Sequence, residues 1–358
     1  MVSPVLDVTR ADLAQHTTLR LGGAARRLLT VREQDEIVQT VRAVGADGEP
    51  MLVLAGGSNV VIADEGFDGT VVLLRTAGIR VDPDGDDAVL LTVQAGQEWD
   101  DVVAFTVAEG LVGIECHSGI PGSAGATPIQ NVGAYGQEIA ENIARVRVYD
   151  RRLDRVLEMA PADCRFTFRG SLFKRNDRYV VLEAAVRLRR ARLSAPVRYA
   201  ELAKRLGVAE GARVPLADVR SAVLALRGQK AMVLDPLDPD TYSVGSFFLN
   251  PTLDAAGFAA LRARSQAAVG LDPPAFPYAD GLVKSSAAWL IERAGFAKGY
   301  SGGRAGVAIS TKHTLALTNR GTGTTAELLD LAREIRAGVR RVFGLELGPE
   351  AVLVGCTL

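Results

Sequence analysis

Apolar residues follow different periods in the two halves of this 358-residue chain. In the first half they alternate with polar residues or form short runs, as at 70–75, 88–96 and 179–189, which is typical of β-strands. Over 195–227 the spacing becomes helical, and a segment rich in Pro and Asp follows at 234–243. The pattern therefore predicts a strand-rich first half and a domain boundary at that segment.

The remainder of the chain has the mixed pattern of an α+β domain. From Leu328 to Val342 apolar residues recur every three or four positions, which predicts an amphipathic helix over 324–343. Thr324 and Glu327 have the spacing of a capping box at the start of this helix.

The charge balance argues against polyanionic partners. The chain has 41 Lys and Arg against 42 Asp and Glu, a formal net charge of −1, so we expect neither nucleic acid nor a membrane surface as a partner. We find no signal-peptide pattern and no apolar run of membrane-spanning length, and we therefore expect a cytoplasmic protein. Three cysteines and three histidines are scattered without zinc-site or disulfide spacing, and we expect no metal.

Two segments are rich in glycine and small polar residues. One covers 113–139, and the other sets the turn at 56–59 between two apolar strands. Glycine permits positive φ and close approach to the main chain, and successive N–H groups in a turn form an anion site. We expect 113–139 to expose its backbone and the two segments to bind one diphosphate ligand. The alternative is that these glycines only mark surface loops.

A third glycine pattern, at 321–326, matches the loose dinucleotide fingerprint G-x-G-x-x-A between a strand and a helix. A nucleotide-binding half needs further strand–helix units after the fingerprint, and too little chain remains after this one. We therefore assign the phosphate-binding role to the first half of the chain.

Five segments together resemble one known family. They are HTTLRLGG at 16–23, AGGSN at 55–59, IPGSAGATPIQNVGAYGQE at 120–138, FRGSLFK at 168–174 and VGSFFLNP at 244–251. Their order, and nearly the whole chain with them, resembles the UDP-N-acetylenolpyruvoylglucosamine reductases, the MurB family of peptidoglycan precursor synthesis.

The resemblance implies an α+β protein with an FAD-binding fold of the vanillyl-alcohol-oxidase (PCMH) type, built from two subdomains, and a C-terminal α+β substrate-binding domain. By this resemblance residues 1–76 and the C-terminal segment 347–358 form the first subdomain. Residues 77–230 form the second subdomain, and 231–346 form the substrate-binding domain.

The family's cofactor is FAD, and the two glycine segments match the loops that bind it. The implied cofactor-binding residues are Gly56, Gly57, Ser58, Asn59, Gly122, Ser123, Gln130, Asn131 and Gly133. The first loop lacks the histidine that attaches flavin covalently in some proteins of this fold, so we expect noncovalent FAD. The resemblance also implies NADPH as hydride donor and UDP-N-acetylglucosamine enolpyruvate as substrate, and we expect a monomer.

The family reaction passes hydride from NADPH to flavin, and then from flavin N5 to the enolpyruvyl group, which leaves negative charge beside a carboxylate. Arg169 and Glu350 match the residues that stabilise this charge, and Ser246 matches the proton donor. An arginine can bind a carboxylate with two hydrogen bonds. An ionised Glu350 would repel the substrate unless it were protonated or paired with a cation. Because serine is a weak acid, Ser246 needs close positioning.

Four further residues match substrate positions of the family. Lys230 and Asn250 correspond to residues that bind the nucleotide diphosphate, and Tyr135 is expected to face the substrate. Tyr199 resembles the tyrosine that one subclass carries on a mobile loop.

Three positions depart from the family pattern, and two other functions remain open. Phe168 replaces a tyrosine, Gly170 replaces a polar residue, and Ala55 replaces a glycine of the first loop. One alternative is a different flavin oxidoreductase of the same fold that acts on an alcohol or aldehyde. The other is a catalytically silent nucleotide-binding protein. Both would keep the glycine segments, and neither needs the three catalytic residues together.

Overall fold

The computed structural model describes residues 5–358, so the first four residues of the predicted segment 1–76 lie outside the described residues. The α-helices are α1 Gln34–Ala46, α2 Trp99–Ala108, α3 Ala126–Gln130, α4 Ala200–Leu206, α5 Leu216–Gln229, α6 Ala255–Val269, α7 Ala287–Arg293 and α8 Thr325–Phe343. The strands are β1 Leu6–Asp12, β2 Ala24–Val31, β3 Met51–Leu54, β4 Val60–Ile62, β5 Phe67–Leu74, β6 Ile79–Pro83, β7 Ala88–Gln94, β8 Leu111–Val112, β9 Gly133–Ala134, β10 Gln137–Glu138, β11 Ile143–Asp150, β12 Arg155–Met159, β13 Tyr179–Arg190, β14 Thr252–Leu253, β15 Phe276–Pro277, β16 Val283–Lys284, β17 Val307–Ile309, β18 Leu317–Asn319 and β19 Val352–Val354.

The described chain divides into two compact units. The first consists of residues 5–11, 25–57 and 68–233, and the second of residues 12–24, 58–67 and 234–358. Each unit is described by itself below. The division into three regions at 1–76, 77–230 and 231–346 stays a prediction.

A six-stranded sheet forms the centre of the first unit. Its strands run in the order β12-β11-β13-β7-β6, and β8 pairs with β13. The neighbouring strands are antiparallel, which matches the alternating pattern of the sequence. The strands predicted at 88–96 and 179–189 are confirmed as β7 and β13. Helix α2 buries Trp99, Val102 and Val103 in the core of this sheet.

The first unit also contains a four-stranded sheet, in the order β1-β2-β5-β3. Strands β3 and β5 are parallel, and α1 buries Ile37 and Val41 in a cluster with Val72. The helical pattern at 195–227 is confirmed as α4 and α5. These two helices pack around Cys116 through Leu202 and Val223, both fully buried.

Helix α8 organises the core of the second unit, and the helix predicted at 324–343 is confirmed. Leu328, Leu331 and Ile335 on its apolar face are completely buried. Its first turn has the predicted capping box between Thr324 and Glu327, with both reciprocal hydrogen bonds present. The apolar residues spaced three and four positions apart therefore lie on the face of α8 that packs into the core.

The C-terminal strand of the second unit lies beside β4. Strands β19 and β4 are parallel, with Val352 opposite Val60. The Val352 N–H donates to the Asn59 carbonyl at 3.0 Å. This pairing holds the segment that carries Glu350 next to the end of the first glycine loop.

The glycine fingerprint at 321–326 lies at a helix N-terminus that already has an anionic partner. The Asp64 carboxylate accepts hydrogen bonds from the N–H groups of Thr325 (2.7 Å) and Ala326 (2.8 Å) at the start of α8. A carboxylate therefore fills the position that a phosphate would take at a helix N-terminus.

Within residues 5–358, no helix combines the length and the apolar character needed to cross a bilayer.

Candidate active site

The glycine-rich segment 113–139 is largely buried, so the prediction that it exposes its backbone is wrong. Its main chain is fixed by neighbouring turns. Trp99 donates its N–H to the Gly122 carbonyl at 2.9 Å, Ala124 donates to the Gln97 carbonyl at 2.8 Å, and Gly125 donates to the Ala95 carbonyl at 2.9 Å. A turn held in this way is preorganised for a ligand, because its shape does not depend on the ligand being present.

The two glycine segments touch each other in the first unit. A Cβ atom on Gly56 would lie 2.5 Å from the Gly122 Cα atom and 3.2 Å from the Ser123 nitrogen. Only glycine fits at this distance. Gly57 has φ +60° and Gly122 has φ +109°, so both use the left-handed conformations that glycine tolerates best. The two segments that we predicted to bind one ligand are therefore in contact, and their shared role as a site stays a prediction.

Ser123 gives this cradle an unsatisfied polar group. Its side chain is 2% exposed, and its hydroxyl has no hydrogen-bond partner among residues 5–358. A buried polar atom without a partner costs stability unless a ligand or an ordered water satisfies it. The hydroxyl and the close backbone approach fit a diphosphate, so these residues are suited to hold FAD.

Asn131 and Gly133 lie in the glycine-rich segment 113–139, and their main-chain carbonyls bind Arg169. The Arg169 guanidinium donates to the Asn131 carbonyl at 3.2 Å and to the Gly133 carbonyl at 2.6 Å. Glu138 lies 3.6 Å from the same guanidinium, and the Phe168 ring lies 4.9 Å from its carbon. The predicted catalytic arginine is therefore joined to the predicted cofactor segment within one unit.

The side chain of Asn131 is used internally. Its amide nitrogen donates to Glu138 at 3.1 Å and to the Thr167 carbonyl at 2.9 Å, and its amide oxygen accepts from the Ala140 N–H at 3.2 Å. Asn131 also has φ +44°, and Arg169 has φ +54°. Both predicted site residues thus have a left-handed backbone conformation, which is unfavourable for residues other than glycine. The hydrogen bonds described above maintain this conformation.

Ser246 and Glu350 lie on adjacent segments of the second unit. The Glu350 N–H donates to the Phe247 carbonyl at 2.8 Å, and Phe248 pairs with Pro349 as an antiparallel bridge. Phe247 and Phe248 are fully buried with their rings edge to face, which anchors the segment that carries Ser246. The fold therefore brings together two predicted catalytic residues about one hundred positions apart in sequence.

Three of the predicted substrate residues form a second group in the first unit. The Tyr135 and Tyr199 rings meet edge to face with their centroids 5.5 Å apart. Lys230 forms an ion pair with Glu201 at 2.7 Å, two residues beyond Tyr199. Burial raises the pKa of Tyr135 to about 12, so its hydroxyl stays protonated at neutral pH.

Asn250 belongs to the second unit, where it contributes to the start of α7. Its amide oxygen accepts a hydrogen bond from the Ala287 N–H at 2.9 Å. This contact fixes the orientation of the Asn250 side chain, which we predicted to bind the substrate diphosphate.

Sequence reasoning missed a buried polar pair, Arg227 and His117, of which His117 lies in the glycine-rich segment 113–139. The Arg227 guanidinium donates to the Met232 carbonyl at 2.6 Å, and burial lowers its pKa to about 10. The ring of His117 is completely buried, and burial lowers its pKa to about 4. The Arg227 Nε and the His117 Nδ1 are buried without hydrogen-bond partners in the described part of the chain. Burial by distant residues creates this group, and no local sequence signal marks it.

Two family models match the chain. The one described as UDP-N-acetylenolpyruvoylglucosamine reductase, C-terminal domain, matches residues 235–354, and the one described as FAD binding domain matches residues 25–159. The second match includes both glycine segments. The predicted fold class, an FAD-binding fold with a C-terminal α+β domain, is confirmed by these matches together with the observed helices and strands.

Curated relatives match the chain over nearly its full length. The UDP-N-acetylenolpyruvoylglucosamine reductase of Thermobifida fusca is 57% identical over 348 residues, which is 97% of either chain. The protein of the same name from Salinispora arenicola is 58% identical over 347 residues, 97% of this chain and 95% of its own. The crystal structure of UDP-N-acetylenolpyruvylglucosamine reductase from Thermus caldophilus has a similar fold, with a TM-score of 0.64 and 23% identity over 98% of this chain and 99% of its own.

Proposed function

The chain belongs to the UDP-N-acetylenolpyruvoylglucosamine reductase family, and we propose that it reduces the enolpyruvyl group of UDP-N-acetylglucosamine enolpyruvate to UDP-N-acetylmuramate with NADPH. It is an FAD-dependent oxidoreductase of peptidoglycan precursor synthesis. The observation that supports this reaction best is the attachment of Arg169 to the cofactor segment. The group expected to bind the substrate carboxylate is held by the same main chain that is expected to hold FAD.

The contact between Gly56 and Gly122 and the unsatisfied Ser123 hydroxyl support the two glycine segments as the FAD site. Gly57, Ser58 and the other predicted cofactor residues stay proposals. When bound, FAD would supply the hydride-transfer chemistry between NADPH and the enolpyruvyl group.

Arg169 is proposed to stabilise the negative charge that develops next to the substrate carboxylate. A guanidinium stays charged at all physiological pH values and can bind a carboxylate with two hydrogen bonds. The contacts to the Asn131 and Gly133 carbonyls hold the guanidinium in one place before the substrate arrives. A preorganised donor of this kind contributes about 3 kcal/mol to transition-state stabilisation.

Ser246 is proposed to donate the proton to the carbon next to the carboxylate. A serine hydroxyl is a weak acid, so its contribution depends on being held in line with the developing carbanion. The buried phenylalanines that follow Ser246 supply this rigidity. Glu350, on the paired segment, is proposed to act with Arg169 on the carboxylate, and its hydrogen-bonded main chain restricts its position.

Tyr135, Tyr199, Lys230 and Asn250 are proposed to bind the nucleotide part of the substrate. Tyr199 is 45% exposed, which is consistent with a residue that closes on a ligand and with the tyrosine-loop subclass. We also keep the three predicted regions, a monomeric state and a cytoplasmic location as proposals.

Anaerobic visible spectroscopy of the purified protein tests the proposed reaction. NADPH should bleach the flavin absorbance, and UDP-N-acetylglucosamine enolpyruvate should restore it. Bleaching without restoration would favour a different flavin oxidoreductase of the same fold. A protein that neither carries nor takes up flavin would favour the silent nucleotide-binding protein.

A further inference from the structure

Lys230, a proposed ligand of the substrate diphosphate, already has a carboxylate partner. Its Nζ lies 2.7 Å from Oε2 of Glu201, and the two side chains are 34% and 39% exposed. Lys230 is the C-cap of α5, and Glu201 lies in the first turn of α4, so the ion pair joins the two helices. A carboxylate at this position occupies the ammonium that an anionic ligand would need.

We propose that Glu201 competes with the substrate diphosphate for Lys230 and thereby lowers the affinity of this site for nucleotide diphosphates. The inference rests on the proposed diphosphate role of Lys230. Glu201 is a positioning residue in this scheme, because it acts on the ligand through the lysine. When a diphosphate binds, the Lys230 ammonium exchanges the carboxylate oxygen for phosphate oxygens, and no covalent bond changes.

Helix α4 stays in place when this ion pair opens. Leu202 and Ala203 of its first turn are buried and pack with residues of α5. Loss of the Glu201 contact to Lys230 therefore leaves α4 packed, and the exchange changes only the partner of the ammonium.

The size of the effect follows from the exposure of the pair. Ion pairs at partly exposed sites are weak, because water screens them. Removing the competitor should therefore tighten diphosphate binding by about twofold to fivefold, which corresponds to about 0.4–1 kcal/mol.

Calorimetric titration of the FAD-loaded enzyme with UDP at physiological salt tests the proposal. Glu201→Gln should lower the Kd for UDP by about twofold to fivefold. Glu141→Gln is the matched control, because Glu141 forms an exposed ion pair with Arg198, 2.9 Å apart, beside Tyr199 and does not pair with Lys230. The control should leave the Kd unchanged. A Glu201→Gln variant that binds UDP no more tightly than the wild type would overturn the proposal.

Lys230→Met separates this proposal from the proposed function. It should weaken UDP binding, and adding Glu201→Gln to it should change the Kd by less than about twofold, since competition needs the lysine. An equal gain in both backgrounds would mean simple charge repulsion and would also overturn the competition. If Lys230→Met binds UDP as the wild type does, the diphosphate role of Lys230 itself is wrong. If only the Glu201 effect is missing, the proposed function stands and the competition fails.

Discussion

The contact between the two glycine segments provides a sharp test of the cofactor site, through the substitution Gly56→Ala. The new methyl group would lie 2.5 Å from the Gly122 Cα atom and 3.0 Å from its carbonyl carbon. Comfortable carbon–carbon contacts are about 3.5–4.0 Å, so the segments must separate by about 1 Å. The φ of Gly56 is not in the left-handed region, so alanine meets no backbone strain there, and the collision is the main effect.

Separation of the segments should weaken FAD binding. Overpacking of this kind costs about 1–3 kcal/mol, which corresponds to about 5- to 150-fold in an equilibrium constant. The measurement is titration of the flavin-free protein with FAD, followed by flavin fluorescence. Gly45→Ala is the matched control, because Gly45 lies within α1 and a Cβ there would meet nothing within 4 Å. The control should bind FAD normally and be equally stable or up to about 1 kcal/mol more stable.

An FAD affinity of Gly56→Ala within twofold of the wild type would refute the reasoning. It would mean either that the segments yield without cost or that they do not hold the cofactor. The melting temperature of the flavin-free proteins distinguishes local damage from general instability. If Gly56→Ala damages only the cofactor site, the flavin-free variant should melt close to the flavin-free wild type, and the two melting temperatures should separate when FAD is added.

Three further predictions concern catalysis and stability. Ser246→Ala should keep the rate of flavin bleaching by NADPH but slow the return of colour with substrate by about 10²- to 10⁴-fold, because only the second step needs the proton. Stopped-flow absorbance measures the rates of both steps. Equal slowing of the two steps would contradict the role of Ser246 as proton donor. Thr324→Ala should lower the free energy of unfolding by about 0.5–2 kcal/mol in urea titrations without changing FAD affinity, since it removes only the cap of α8. Burial holds the pKa of His117 at about 4, below the value of about 6.5 expected in the unfolded chain, so the unfolded state gains a proton first as pH falls. The free energy of unfolding should then decrease between about pH 6.5 and pH 4 by up to about 3 kcal/mol. Urea titrations at pH 7 and pH 4.5 measure this decrease, which should be smaller in His117→Leu than in the wild type. An equal decrease in the two proteins would argue against a buried neutral histidine.

Local features were predictable from the sequence where the determining contacts are themselves local. The helix at 324–343 depends on an apolar spacing and a capping box that both lie within it, and it was predicted almost to the residue. The burial of 113–139 depends on partners such as Ala95 and Gln97, which lie in the turn that follows β7. Glycine content indicates what a backbone is able to do, and the surrounding fold decides whether that backbone is exposed.

Long-range contacts also determine whether an individual motif is available to bind a ligand. The fingerprint at 321–326 has suitable glycines and a helix N-terminus, and only the fold reveals that Asp64 takes the anion position. Arg169 was identified by resemblance, whereas its hydrogen bonds to Asn131 and Gly133 join positions more than 35 residues apart. A single sequence carries no signal for such pairs.

Backbone conformation adds an argument for the site that is independent of the resemblance. Asn131, Tyr135 and Arg169 all have positive φ, although residues with a Cβ atom rarely adopt it. Positive φ alone does not mark function, because Asp154 and Arg175 also have it. Asn131 and Arg169 differ from these residues because long-range hydrogen bonds connect them. The Arg169 guanidinium donates to the Asn131 carbonyl, and the Asn131 side chain donates to the Thr167 carbonyl. Strain that is maintained by such a network is expected where side chains must be aimed at a ligand, and this segment both carries Tyr135 and holds the guanidinium of Arg169.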